Sequence, residues 1–153
     1  MDFPQSTARV GGHPIHPMLV PFPIACYVFA FVTDIAYWQT GWAMWAYASS
    51  WLIGVGIATA LLAATAGFID FFGSSRIRGL RAAWWHMLGN LTGTVLSIVN
   101  FIVHMRDGAA AVLPTGIVLS GAVVAILLVT GWLGGEMVYR HGVAVRPKDG
   151  TAP

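Results

Sequence analysis

The sequence predicts an all-α protein: an integral membrane, up-down four-helix bundle with both termini cytoplasmic. Three observations carry that expectation. Of 153 residues, 57% are hydrophobic and 9% charged, against roughly 25% charged in a soluble domain, and mean hydropathy is +0.72. Eight basic and six acidic side chains cannot coat a water-soluble particle of this size, so much of the exterior must face lipid. Four apolar stretches, 17–38, 43–71, 83–105 and 112–139, each reach the length of about 20 residues that a transmembrane helix needs. Their short connections force antiparallel neighbours and leave one membrane domain over 1–153.

The polar start, 1–12, carries one arginine and no short apolar core followed by a small-residue cleavage site. The first span is therefore expected to remain uncleaved. Within it, Pro17 suits a first helical turn, whereas Pro21 and Pro23 remove ladder bonds and predict a kink. The second span is long enough to require tilt or a protruding end. The fourth closes on Arg140, His141 and Gly142, cations near the negative end of a helix followed by a residue suited to a left-handed cap. A second polar tail, 143–153, follows.

Charge and aromatic placement orient the helices. Arg9, Arg76, Arg78, Arg81, Arg140, Arg146 and Lys148 lie on the terminal side and only Arg106 on the other. The positive-inside rule then places the termini and the loop 73–82 in the cytoplasm. Trp38, Trp42 and Trp45 gather at the opposite end and Trp84 and Trp85 at the cytoplasmic end, as headgroup-level tryptophans do. The pI of about 9.0 thus reflects topology and points to no nucleic-acid partner. Cys26 is the single cysteine, which excludes an internal disulfide, a CxxC site and covalent haem attachment through CxxCH.

Ionisable groups at membrane depth are costly and mark interiors or functional sites. In the third span His86, Asn90, Gly93, Ser97, Asn100 and His104 recur at spacings of four and three, a polar stripe on one helix face. His16 and Asp34 in the first span are also 18 residues apart, as are His86 and His104, roughly 27 Å of helix rise. His16 is therefore expected to face His86, and Asp34 to pair with His104 as a structural polar pair. The common 70-residue offset hints at a duplicated hairpin, though the second and fourth spans do not keep it. Asp70 shares a narrow face with Thr59, Ala63 and Ala66, which predicts that it points into the bundle. Glu136 stands four residues before Arg140, the spacing of a helical ion pair.

The run Gly12-His13-Pro14-Ile15-His16-Pro17-Met18-Leu19-Val20-Pro21-Phe22-Pro23-Ile24, with Asp34 downstream, and the ending Gly131-Trp132-Leu133-Gly134-Gly135-Glu136-Met137-Val138-Tyr139-Arg140-His141-Gly142-Val143, resemble the opening and closing motifs of the small bacterial membrane-protein family known as domain of unknown function 2231. His86 with Asn90 sits where that family's third helix carries a histidine. The resemblance covers nearly the whole four-helix unit and implies a bacterial inner-membrane protein. Some members join this unit to a Rieske-type iron–sulfur domain, which implies electron transfer with a separate partner here. Pro21 departs from the pattern, standing where many members carry histidine.

Three functional readings follow. In the first, His16 and His86 are axial ligands of a non-covalent haem b. Gly93 makes room for the macrocycle, Asn90 and Asp70 orient the imidazoles, and Arg76, Arg78 or Arg81 meet the propionates; a quinol or an iron–sulfur protein serves as redox partner. The second is a zinc, iron or manganese site built from two or three of His13, His16, His86 and His141 with Asp70 or Glu136. The third is a structural or interaction protein whose histidines cap and pair and whose small residues pack helices or copies in a homo-oligomer. No GxSxG, HExxH or P-loop occurs, and no hydrolase or transferase machinery is expected.

Overall fold

The structure is a computed structural model and describes residues 3–145; Arg146 and Lys148, counted above among the terminal-side cations, lie outside the described residues. Of the described residues, 82% are helical. A short antiparallel hairpin, β1 (Arg9–Val10) and β2 (His13–Pro14), leads into α1 (Ile15–Leu19) and α2 (Pro21–Thr40). Then come α3 (Ala43–Gly73), α4 (Ser75–Arg78), α5 (Arg81–Asp107), a 3-10 turn (Gly108–Val112) and α6 (Thr115–Tyr139). Four segments are long and apolar enough to cross a membrane: α1 with α2, α3, α5 with the 3-10 turn, and α6.

The helix boundaries differ from expectation for local reasons. The start of the chain is ordered into a hairpin because Gly11 and Gly12, at φ 55 and 81, supply the left-handed turn that residues with a Cβ resist. Helix begins at Ile15, and its regularity lapses only at Val20, since Pro21 and Pro23 contribute no N–H to the ladder. Val20 N still reaches the His16 carbonyl at 3.1 Å and Ile24 N the Val20 carbonyl at 3.4 Å, so the kink is mild. The connection after α5 tightens into the 3-10 turn, and Pro114 delays α6 to Thr115. At the far end Gly142 takes φ 63 as expected, donating to the Val138 carbonyl at 3.1 Å.

Packing is inverted relative to a soluble protein. Large side chains such as Phe29, Val32, Trp51, Leu128 and Trp132 are exposed, whereas the interior holds Ala30, Ser49, Ala63, Ser97 and Ser120. Small residues let backbones approach closely where lipid offers no hydrophobic drive to pack helices. The first span packs on α3 and α6, and α5 packs on the same two helices. The first and third spans therefore lie across the bundle from each other, with their polar stripes turned to a shared axis.

The two helix hairpins are built alike, more closely than the sequence suggests. Phe31 of α2 packs over Gly121 of α6, and Phe101 of α5 over Gly54 of α3. The ring of His16 rests on Gly67, and that of His86 on Gly134. The first and third spans correspond at an offset of 70 residues and the second and fourth at 67. The second hairpin is thus three residues shorter, which is why the sequence pattern breaks between its arms.

Both terminal segments lie against each other at one end: Ala144 N donates to the Pro4 carbonyl at 2.9 Å, and Gln5 Nε2 to the Val145 carbonyl at 2.8 Å. Beneath them Phe71, Ile77 and Ala83 form an apolar cluster with Leu80, Met87, Met137 and Val143.

Candidate functional site

Two histidines meet on the bundle axis at this end. His16 and His86 have ring centroids 6.2 Å apart and planes at 84°. His16 Nδ1 lies 2.8 Å from the Ala63 carbonyl and His86 Nδ1 2.8 Å from the Thr130 carbonyl. A carbonyl only accepts, so each Nδ1 carries the hydrogen and each Nε2 of the neutral ring keeps its lone pair. Metal-bound histidines are held in the same way, with the second ring nitrogen donating to a carbonyl or carboxylate. The Nδ1–Cε1 edge of each ring also lies over a glycine one turn beyond its carbonyl partner, Gly67 or Gly134. The sequence places Gly67 and Gly134 at this end of their spans, but the two carbonyl partners did not stand out; their signal was the 67-residue offset between the second and fourth spans.

The other candidates are placed elsewhere. Asp70 turns to the N-terminal segment instead of the interior, accepting from Ser6 Oγ at 2.8 Å and from the backbone N–H groups of Thr7 and Ala8 at 2.7 Å each. A carboxylate accepting several hydrogen bonds is already satisfied, so it orients no imidazole. Asp70→Ala is expected to release residues 6–8 at a cost of about 1.5–3 kcal/mol, read as faster amide exchange there with the bundle helices unchanged; equal exchange would remove this role.

Asn90 likewise serves the backbone: its Nδ2 donates to the His86 carbonyl at 2.7 Å, and its Oδ1 accepts from Thr130 Oγ1 at 3.2 Å. Gly93 is buried and faces α6, a Cβ there standing 3.7 Å from Ile126 Cγ2. Glu136 pairs with Arg140 at 3.1 Å, the helical pair that the spacing predicts. Arg78 caps α3 by donating to the Phe71 and Phe72 carbonyls. His13 is exposed on β2, its Nδ1 3.1 Å from the Gly11 carbonyl, and His141 is half-buried beyond α6. Among the described residues no three of histidine, cysteine, aspartate and glutamate come together as metal ligands. The site of two or three histidines with Asp70 or Glu136 expected as the second reading is therefore not assembled among the described residues.

At the far end of the axis Asp34 and His104 do face each other. Asp34 Oδ1 lies 4.0 Å from His104 Nε2, with both side chains inaccessible. His104 Nδ1 is bonded to the Asn100 carbonyl at 2.9 Å. Between the two ends lies a cavity of about 10 Å³ lined by Tyr27, Ser97, Asn100 and Ser120 among others. Tyr27, Ser49 and Ser120 escaped the sequence reading because single hydroxyls in apolar spans carry no pattern.

Fold and site together define a small polytopic membrane protein whose axis carries a paired-histidine end and a buried Asp–His end. Residues 12–147 match the family described as predicted membrane protein (DUF2231), and the chain belongs to that family. No curated protein and no solved structure matches it.

Proposed function

We propose that the chain is a b-type haem-binding membrane redox protein, with His16 and His86 supplying the two axial nitrogens. One observation carries this reading: two imidazoles on opposed helices, each with Nδ1 fixed by a helix carbonyl and Nε2 holding the lone pair. The two rings stand with centroids 6.2 Å apart. The donor count favours haem over zinc or non-haem iron. A haem iron asks the protein for two axial ligands, whereas a structural zinc asks for four and a catalytic one for three, and two are present here.

In this reading Ala63 and Thr130 hold the imidazole planes, and Gly67 and Gly134 let the rings sit against their helices. Haem would supply one-electron chemistry at the axis, with a quinol or an iron–sulfur protein as the partner of matching chemistry. In the same reading the terminal end faces the cytoplasm of a bacterial inner membrane, a placement supported by the bias of basic residues toward that end.

The test is an optical spectrum of protein purified in mild detergent from haem-sufficient cells, oxidised and dithionite-reduced, with elemental analysis of the same sample. A Soret band at near-unit haem stoichiometry is expected. The band should vanish in His16→Ala and in His86→Ala and persist in His104→Gln. Full haem occupancy in both alanine variants would refute the ligand assignment. A colourless, metal-free sample that stays so after reconstitution would leave the histidines as packing residues.

A further inference from the structure

Asp34, on α2, is 0% exposed and His104, on α5, 2%. Both carboxylate oxygens of Asp34 and Nε2 of His104 are buried without a well-formed hydrogen bond, as are Tyr27 Oη and Asn100 Oδ1 on the axis; the hydroxyls of Ser49 and Ser120 are the neutral groups placed to donate to Asp34. Such a concentration of orphaned groups is rare in a folded interior, where nearly every buried polar atom is satisfied. The end of the bundle above them is shut by the 3-10 turn, whose Ala111 and Val112 are 3% and 0% exposed.

The hydrogen inventory of the pair is constrained. His104 Nδ1 faces the Asn100 carbonyl, which can only accept, so Nδ1 carries a hydrogen in every state. With no further proton, Asp34 would be a carboxylate and Nε2 a lone pair, leaving acceptors facing each other and an uncompensated buried charge. With two further protons, donors would face each other around a net positive charge that has no counterion. Ser49 and Ser120, on the helices packed here, are neutral; Arg106 and Asp107, in the last turn of α5, are exposed. Tyr27, on the inner side, is the remaining titratable group, and a phenol stays neutral at ordinary pH.

We propose that Asp34 and His104 form a buried proton-binding site that holds one proton between the carboxylate and Nε2. The proton sits either on the carboxyl oxygen beside a neutral imidazole or on Nε2 beside a carboxylate, and the pair is electroneutral in both forms. Its ligand is the proton itself, and its chemistry is that of the ionisable pairs from which membrane proton relays are built. The site is independent of any cofactor at the histidine pair.

The experiment is solid-state NMR at neutral pH on the full chain in phosphatidylcholine–phosphatidylglycerol bilayers, with ¹⁵N-histidine and ¹³C-aspartate labels. One proton beyond the Nδ1 hydrogen is expected: a protonated Asp34 carboxyl with neutral His104, or an Asp34 carboxylate with a His104 imidazolium. Asp34→Asn assigns the aspartate signal and should leave His104 neutral and protonated on Nδ1. Sequential connectivities in the unmodified protein make the assignment if that variant misfolds. A carboxylate beside a neutral imidazole, or a protonated carboxyl beside an imidazolium, would overturn the proposal.

Discussion

Gly116→Ala is expected to destabilise the bundle, while Gly131→Ala, fifteen positions along the same helix, is expected to be neutral or stabilising. A Cβ on Gly116 would stand 2.8 Å from the Ala111 carbonyl oxygen and 2.9 Å from His104 Cε1, whereas one on Gly131 meets nothing within 4 Å. The first contact is with backbone of the 3-10 turn, which cannot rotate away as a side chain can. Overpacking of this kind costs about 1–3 kcal/mol or more, and the helix-propensity gain of about 1 kcal/mol for replacing glycine by alanine offsets it only in part. At Gly131 the propensity gain stands alone. Thermal midpoints in one detergent compare the two variants directly, and equal midpoints would show that the turn does not press on α6.

His104→Ala is expected to cost about 3–5 kcal/mol, the range for breaking a buried ionic pair by removing one partner. The substitution leaves Asp34 buried with neither cation nor acceptor and opens space beneath the 3-10 turn. Asp34→Asn is expected to cost about 1 kcal/mol or less, because the amide is nearly isosteric, carries no charge and can donate to Nε2. A large loss in the isosteric Asp34→Asn would contradict an account in which one shared proton neutralises the pair. Denaturation in mixed micelles provides the measurement.

The buried Asp–His pair and the histidine pair have different sensitivities. Loss of His104 should lower stability and leave the haem binding proposed at His16 and His86 intact; loss of His86 should abolish that binding with a smaller effect on stability. The two sites lie at opposite ends of one polar axis, but they are held by separate contacts: helix carbonyls on α3 and α6 for the histidine pair, and the α5 carbonyl of Asn100 for His104.

Composition and periodicity alone determined that the chain is a membrane protein with four helices long and apolar enough to cross a bilayer, since 9% charge cannot coat a soluble particle. They also determined that one face of α5 is polar, because its spacing of three and four can align only on a helix. The facing of His16 with His86, and of Asp34 with His104, was legible from equal separations along two helices. Tertiary structure alone decided the roles of Asp70 and Asn90, which have the right chemistry to orient imidazoles but are already bonded to the N-terminal segment, to a backbone carbonyl and to Thr130. It also decided that Ala63 and Thr130 hold the histidines, since every residue carries a carbonyl and only helix packing selects which one a side chain reaches. The likeness of the two hairpins was hidden for a related reason: three residues fewer in the second leave the helix contacts intact but break the linear register.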